Sequence, residues 1–157
     1  MKERFLSKRQ AKKIIELIEQ QWGCRFGDDY VFLEKENKVY ITKHEIEAVP
    51  FEHMRVNSIG LYLAEIKDSS IRLSIEGSQL IGPRAIRNVV ELTSEETNRW
   101  VQGEDLEKDV DSAGFVIMRS GQDYLGCGKP KQGRILNFIP KSRRLNVQDP
   151  HQIRCCD

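Results

Sequence analysis

From Leu6 to Trp22 the apolar residues Ala11, Ile14, Ile15, Ile18 and Trp22 fall at i, i+3 and i+4 intervals, which predicts a helix with one buried face. Ser7 followed by Gln10 forms a capping box at its start, with Leu6 and Ala11 at staple positions around it, and Gly23 is placed to end it. Trp22 reads as a core anchor, and Lys8, Arg9, Lys12 and Lys13 as a solvated face. The period then shortens. Tyr30 to Leu33 and Val39 to Ile41, joined by the polar run 34–38, predict a hairpin. Ile59 to Ile66 predicts a longer strand, turned at 67–70 and returned by Ile71 to Leu73. Ser74 caps a short helix through Leu80 and Ile81, stopped by Gly82-Pro83. Val89 to Leu92 is a further strand. Thr93 with Glu96 makes a second capping box, for a helix that ends at Gly103 and carries Trp100 into the core.

The stretch from Gly114 to Arg144 organises the rest. Phe115 to Met118 is a strand and Ser120-Gly121 a turn. Tyr124-Leu125 enters a glycine-punctuated turn over 126–130, and Ile135 to Ile139 is a strand stopped by Pro140. Short apolar runs broken by Gly and Pro predict an antiparallel sheet with tight connections. Between Lys129 and Arg144 stand six Lys or Arg and no Asp or Glu. A compact β unit thus carries an unopposed basic loop at 129–134 and a basic exit at 141–144. On the residues alone, that edge is either a solvated strand end that discourages edge pairing or a phosphate-binding surface.

The chain has 157 residues, 39% of them apolar and 31% charged, enough for one ordinary domain or two small ones sharing a core. No apolar run approaches a membrane span and the N-terminus leads into no signal-like core, so the expected setting is cytoplasmic, away from any membrane. The net charge of +1 argues nothing; its distribution does. Basic residues gather at 2–13 and 129–144, while five carboxylates face one lysine between Glu104 and Asp111. Cys24, Cys127, Cys155 and Cys156 include no C-x-x-C pair, so no metal is expected. His44 and His53 recur at no ligand spacing. Gly126-x-Gly128-Lys129 lacks the spacing of a phosphate loop and leads into a strand instead of a helix. No nucleophile or metalloprotease motif is present, and no cofactor is expected.

The run Gly114-Phe115-Val116, then Gly121, then Leu125 to Lys129, then Leu136 to Lys141 resembles the C-terminal PUA-like domain of the Sun-type RNA cytosine-5 methyltransferases. Both glycines of the Gly126/Gly128 pair, Lys129, Asn137, Pro140 and Lys141 match that pattern, whereas Phe115 and Cys127 stand where tryptophan is usual. The family's catalytic cysteine lies in a Pro-Cys dipeptide of an upstream domain; this sequence has no such dipeptide. The resemblance implies an α+β chain: a small N-terminal module at 1–54, a PUA-like, partly closed β-barrel with short helices at 55–150, and a flexible tail at 151–157. The N-terminal module resembles those that precede PUA domains in several archaeal RNA proteins, and the boundary near 50–54 has no Gly/Ser linker, so the two units should touch. The implied function is binding of structured rRNA or tRNA during RNA modification or ribosome biogenesis, without catalysis. Lys129, Lys131, Arg134, Lys141, Arg143 and Arg144 would contact phosphates, Gly126 and Gly128 would let backbone approach the ligand, and Asn137 would read a base edge or, better, brace a strand. A module that docks an RNA methyltransferase partner and a small PUA-related enzyme stay open as alternatives.

Overall fold

The computed structural model describes residues 3–50, 54 and 58–146; the expected boundary at 50–54 in large part, His53, and the tail with Cys155 and Cys156 lie outside them. The described residues form two five-stranded sheets side by side. The first is an antiparallel meander in the order of the chain: β1 (Arg4–Phe5), β2 (Tyr30–Lys35), β3 (Lys38–Lys43), β4 (Leu61–Lys67) and β5 (Ser70–Leu73). The second contains β6 (Val89–Glu91), β7 (Leu106–Glu107), β8 (Val116–Ser120), β9 (Asp123–Lys131) and β10 (Arg134–Asn137), in the order β6-β8-β9-β10-β7. Its strands pair antiparallel except β6 with β8, which are parallel because a helical crossover separates them.

Among the described residues three α-helices complete the fold: α1 (Lys8–Trp22), α2 (Ile75–Ile81) and α3 (Ser94–Val101). Both expected capping boxes form, Ser7 with Gln10 and Thr93 with Glu96, and Gly23 ends α1 in the left-handed region at φ 71°. Ile14, Ile18 and Trp22 form the buried face of α1. They pack with Phe32, Val39, Ile41, Leu63, Ala64 and Leu73 of the first sheet, and the same cluster takes in Phe115, Ile117 and Cys127 of the second. A second cluster lies on the far side of β8, where Val116 and Met118 meet Trp100, Leu106, Ile135 and Ile139. Successive residues of a strand face opposite ways, so β8 feeds both clusters.

Two expectations change. The hairpin β4–β5 pairs with β3 and completes the first sheet, so the sheets divide after Leu73. The expected turn at 126–130 is instead the middle of a nine-residue strand, β9, whose hairpin turn lies at Gln132-Gly133 with both φ positive. Two such residues fit the turn type whose twist matches paired strands.

Helix α2 joins the sheets. Ser74 caps it by accepting from Gly77 N–H (2.9 Å) while donating to Tyr62 O (2.6 Å), which ties the cap to β4. The buried Ser78 Oγ accepts from Gly126 N–H of β9 at 2.8 Å. A Cβ on Gly77 would strike Leu63 O, and one on Gly82 the Tyr124 ring. The helix therefore lies closer to both sheets than a bulkier face would allow.

Candidate nucleic-acid interface

The two glycines of β9 serve the strand from within. Gly126 has φ 82°, and the register of β9 on β8 slips there, so that Leu125 and Gly126 stand across from Met118. That is a β-bulge, and positive φ at its hinge favours glycine. Gly128 is buried and faces the second core: a Cβ there would collide with Ile135 and come within 2.8 Å of Trp100. The side of Gly128 that a side chain would occupy is filled by core. Asn137 is a brace. Its Nδ2 donates to Trp100 O (2.8 Å) and Glu104 O (2.9 Å), its Oδ1 accepts from Ile139 N–H, and its own N–H donates to Asp105 Oδ1.

The basic residues divide into two groups. Arg134 Nη2 lies 3.7 Å from Asp105, and Arg143 Nη1 donates to Glu76 Oε1 at 2.7 Å. Arg144 Nε donates to Ile139 O at 3.2 Å and its side chain covers Gly103. For Arg134 and Arg143 the expected lack of opposing acids holds only along the sequence: in space Asp105 and Glu76 reach them. Lys129, Lys131 and Lys141 are exposed and, among the described residues, make no ion pair. Lys129 Nζ lies 5.6 Å from the Phe115 ring centre.

Two adjoining hollows open where the sheets meet. One, of about 90 Å³, is lined by Tyr62, Arg72, Glu76, Gly126, Phe138 and Arg143 among others. The other, of about 480 Å³, is lined by Lys67, Asp68, Arg72, Phe115, Lys129 and Phe138 among others. Arg72 and Phe138 line both, so the hollows adjoin across that pair and are taken together as the groove. The Arg72 guanidinium sits 4.6 Å from the Phe138 ring centre and donates to Glu65 at 2.5 Å. Burial pushes the Tyr62 hydroxyl above its ordinary range and Glu65 adds to the effect, while Arg72 opposes it. Tyr62 and Arg72 were missed in the sequence; the alternation Ile71-Arg72-Leu73 is the signal that turns Arg72 away from the core.

Burial pushes the Cys127 thiol up to about 12, so this cysteine is a neutral core residue. Among the described residues no group of three or more His, Cys, Asp or Glu is placed to hold a metal ion, and no helix is long and apolar enough to cross a membrane. The acidic stretch is built into the fold: Asp105 holds Asn137, Leu106–Glu107 is β7, and Lys108 reaches back to Glu96 at 3.1 Å.

Residues 87–145 match a family model described as the methyltransferase RsmF PUA domain, inside the expected 55–150. Over 136 residues, 86% of this chain, the sequence is 24% identical to ribosomal RNA small subunit methyltransferase F of Vibrio cholerae serotype O1 (strain M66-2), of which it covers 28%. The same enzyme of Aeromonas salmonicida (strain A449) is 32% identical over 89 residues, 56% of this chain and 19% of that protein. The chain thus spans about a quarter of the length of the curated relatives it matches. A conserved PUA domain protein from Thermoplasma acidophilum shares the fold, with a TM-score of 0.57 at 15% identity over 87% of this chain and 93% of that one. The chain therefore carries, at residues 87–145, a PUA domain of the type found in the ribosomal RNA small subunit methyltransferase F proteins.

Proposed function

We propose that this chain is an RNA-binding module that works in ribosomal RNA modification and performs no chemistry of its own. The observation that carries the proposal is a PUA domain whose β9–β10 hairpin and exit present Lys129, Lys131 and Lys141 to solvent without carboxylate partners among the described residues. Those lysines contact phosphates. Arg134, Arg143 and Arg144 join them at the margin, where bonds to Asp105, Glu76 and the Ile139 carbonyl already hold their geometry. Gly126, Gly128 and Asn137 shape the strand that displays the charges. Structured RNA is recognised here by backbone and shape, with rRNA favoured over tRNA because the relatives are named for ribosomal RNA.

Three phosphate contacts predict that the logarithm of affinity falls against log salt with a slope of about −2 to −3. Titration of rRNA fragments at several salt concentrations measures it, and a flat response refutes the electrostatic reading. Incubation with RNA and labelled S-adenosylmethionine tests the second half: background counts are expected, and multiple-turnover labelling of the RNA overturns it. A second reading, docking onto a partner RNA methyltransferase, is favoured by the groove of about 550 Å³ beside α1, to which Leu6, Ile14, Leu17 and Ile66 contribute. Co-sedimentation with such an enzyme, lost on Leu17→Glu, would support it.

A further inference from the structure

A line of aromatic rings and cations crosses the seam between the two sheets. On the first sheet Tyr40 and Tyr62 are cross-strand partners with ring centres 5.5 Å apart, and Lys38 Nζ lies 5.6 Å from the Tyr62 ring. Tyr62 shares the smaller hollow with Arg72 and Phe138, and the Arg72 guanidinium lies over Phe138. Phe138 in turn meets Phe115 edge-on at 5.5 Å, and Lys129 lies over Phe115. Two ring pairs, Tyr40 with Tyr62 and Phe138 with Phe115, are thus flanked by Lys38, Arg72 and Lys129.

Core packing accounts for only part of this line. Phe115 is buried in the first cluster and Phe138 packs against it. Val39 and Ile41 turn into that same cluster, so the alternation of β3 sends Tyr40 to the opposite face, and both tyrosines remain half-exposed. Five cations stand along the line and its groove, Lys38, Lys67, Arg72, Lys129 and Arg143. Three carboxylates, Glu65, Asp68 and Glu76, oppose them. The surplus is positive, as an anionic ligand requires. Ring pairs flanked by cations offer faces for bases and charges for phosphates, whereas a duplex hides its base faces within the stack.

We infer that this line is a stacking track for an unpaired segment of RNA, which runs from the PUA domain onto the first sheet with bases against Tyr62 and Tyr40. The track rests on the RNA-binding reading above and gives it a substrate class. The test compares a short unstructured pyrimidine RNA with a blunt RNA duplex of the same length, by fluorescence anisotropy. The proteins are the full chain and its Tyr62→Ala, Tyr62→Phe, Tyr40→Ala and Lys129→Glu variants, each checked by thermal melting. The wild type should prefer the unpaired RNA. Tyr62→Ala and Tyr40→Ala should each weaken it about fivefold or more, Tyr62→Phe should retain it, and duplex binding should not move. Equal affinity for both RNAs overturns the track, as does a folded Tyr62→Ala protein that binds like wild type while Lys129→Glu fails; phosphate binding by the PUA domain would then stand alone. No binding of either RNA at low salt removes the broader reading as well.

Discussion

Asn137 uses both amide hydrogens and its carbonyl oxygen on neighbouring backbone, so its substitution is a question of stability before it is one of recognition. Asn137→Ala leaves the Trp100 and Glu104 carbonyls without that donor and should cost about 1–3 kcal/mol, read as a lower urea midpoint. Gly128→Ala should cost a similar ~1–3 kcal/mol, because the added methyl must displace Ile135 or Trp100 in a filled core. Cys127, with its thiol pushed up to about 12, should resist alkylation at neutral pH in the folded protein and react on unfolding, as mass spectrometry of the Cys127 peptide would show. The sequence showed that these positions matter and left their direction open. Matched glycines at 126 and 128 are equally compatible with a ligand groove and with a bulge beside a packed tryptophan, and only the side on which Trp100 lies distinguishes them.

The helix ends were legible because their signals are local: a hydroxyl, a glutamate or glutamine three residues on, and an apolar stripe suffice. Glu96 illustrates how much rests on such an end. Its carboxylate accepts from Thr93 N–H at 3.0 Å, which holds its pKa below the usual 4.5, and Lys108 supports the shift while partial burial opposes it. A depressed carboxyl stabilises the fold above its unfolded value, and that share is lost as pH falls through its lower folded value. Glu96→Gln should therefore flatten the acid limb of a stability–pH curve measured by chemical denaturation, with little change in slope above pH of about 5. Strand β9 was not legible, because Gly, Pro and Lys all argue for a turn. Pairing with β8 and β10 overrides that preference, and Pro130 is tolerated because β8 stops pairing at Gly128, which leaves the proline with one neighbour strand. Periodicity found β4 and β5 but could not say which sheet they would join.

Across the whole molecule the expected contact between the two halves goes further, since one cluster of side chains is shared by α1, both sheets and α2. Trp22 reports on that cluster and Trp100 on the other. In Trp22→Phe and Trp100→Phe variants, the remaining tryptophan's fluorescence should follow the same unfolding curve as far-UV circular dichroism, and separate midpoints would mean that the halves melt independently. The groove was the least legible feature for the same reason: its residues come from both sheets, so no stretch of sequence contains it. At α2 and its C-cap, only the hydrogen atoms of Gly77 and Gly82 stand between the helix and Leu63 O on one side and the Tyr124 ring on the other. A side chain at either position would act as a wedge, prying α2 from the sheet beside it and opening the seam. Two residues that line neither hollow thus decide how closely the helix can seat against its neighbours.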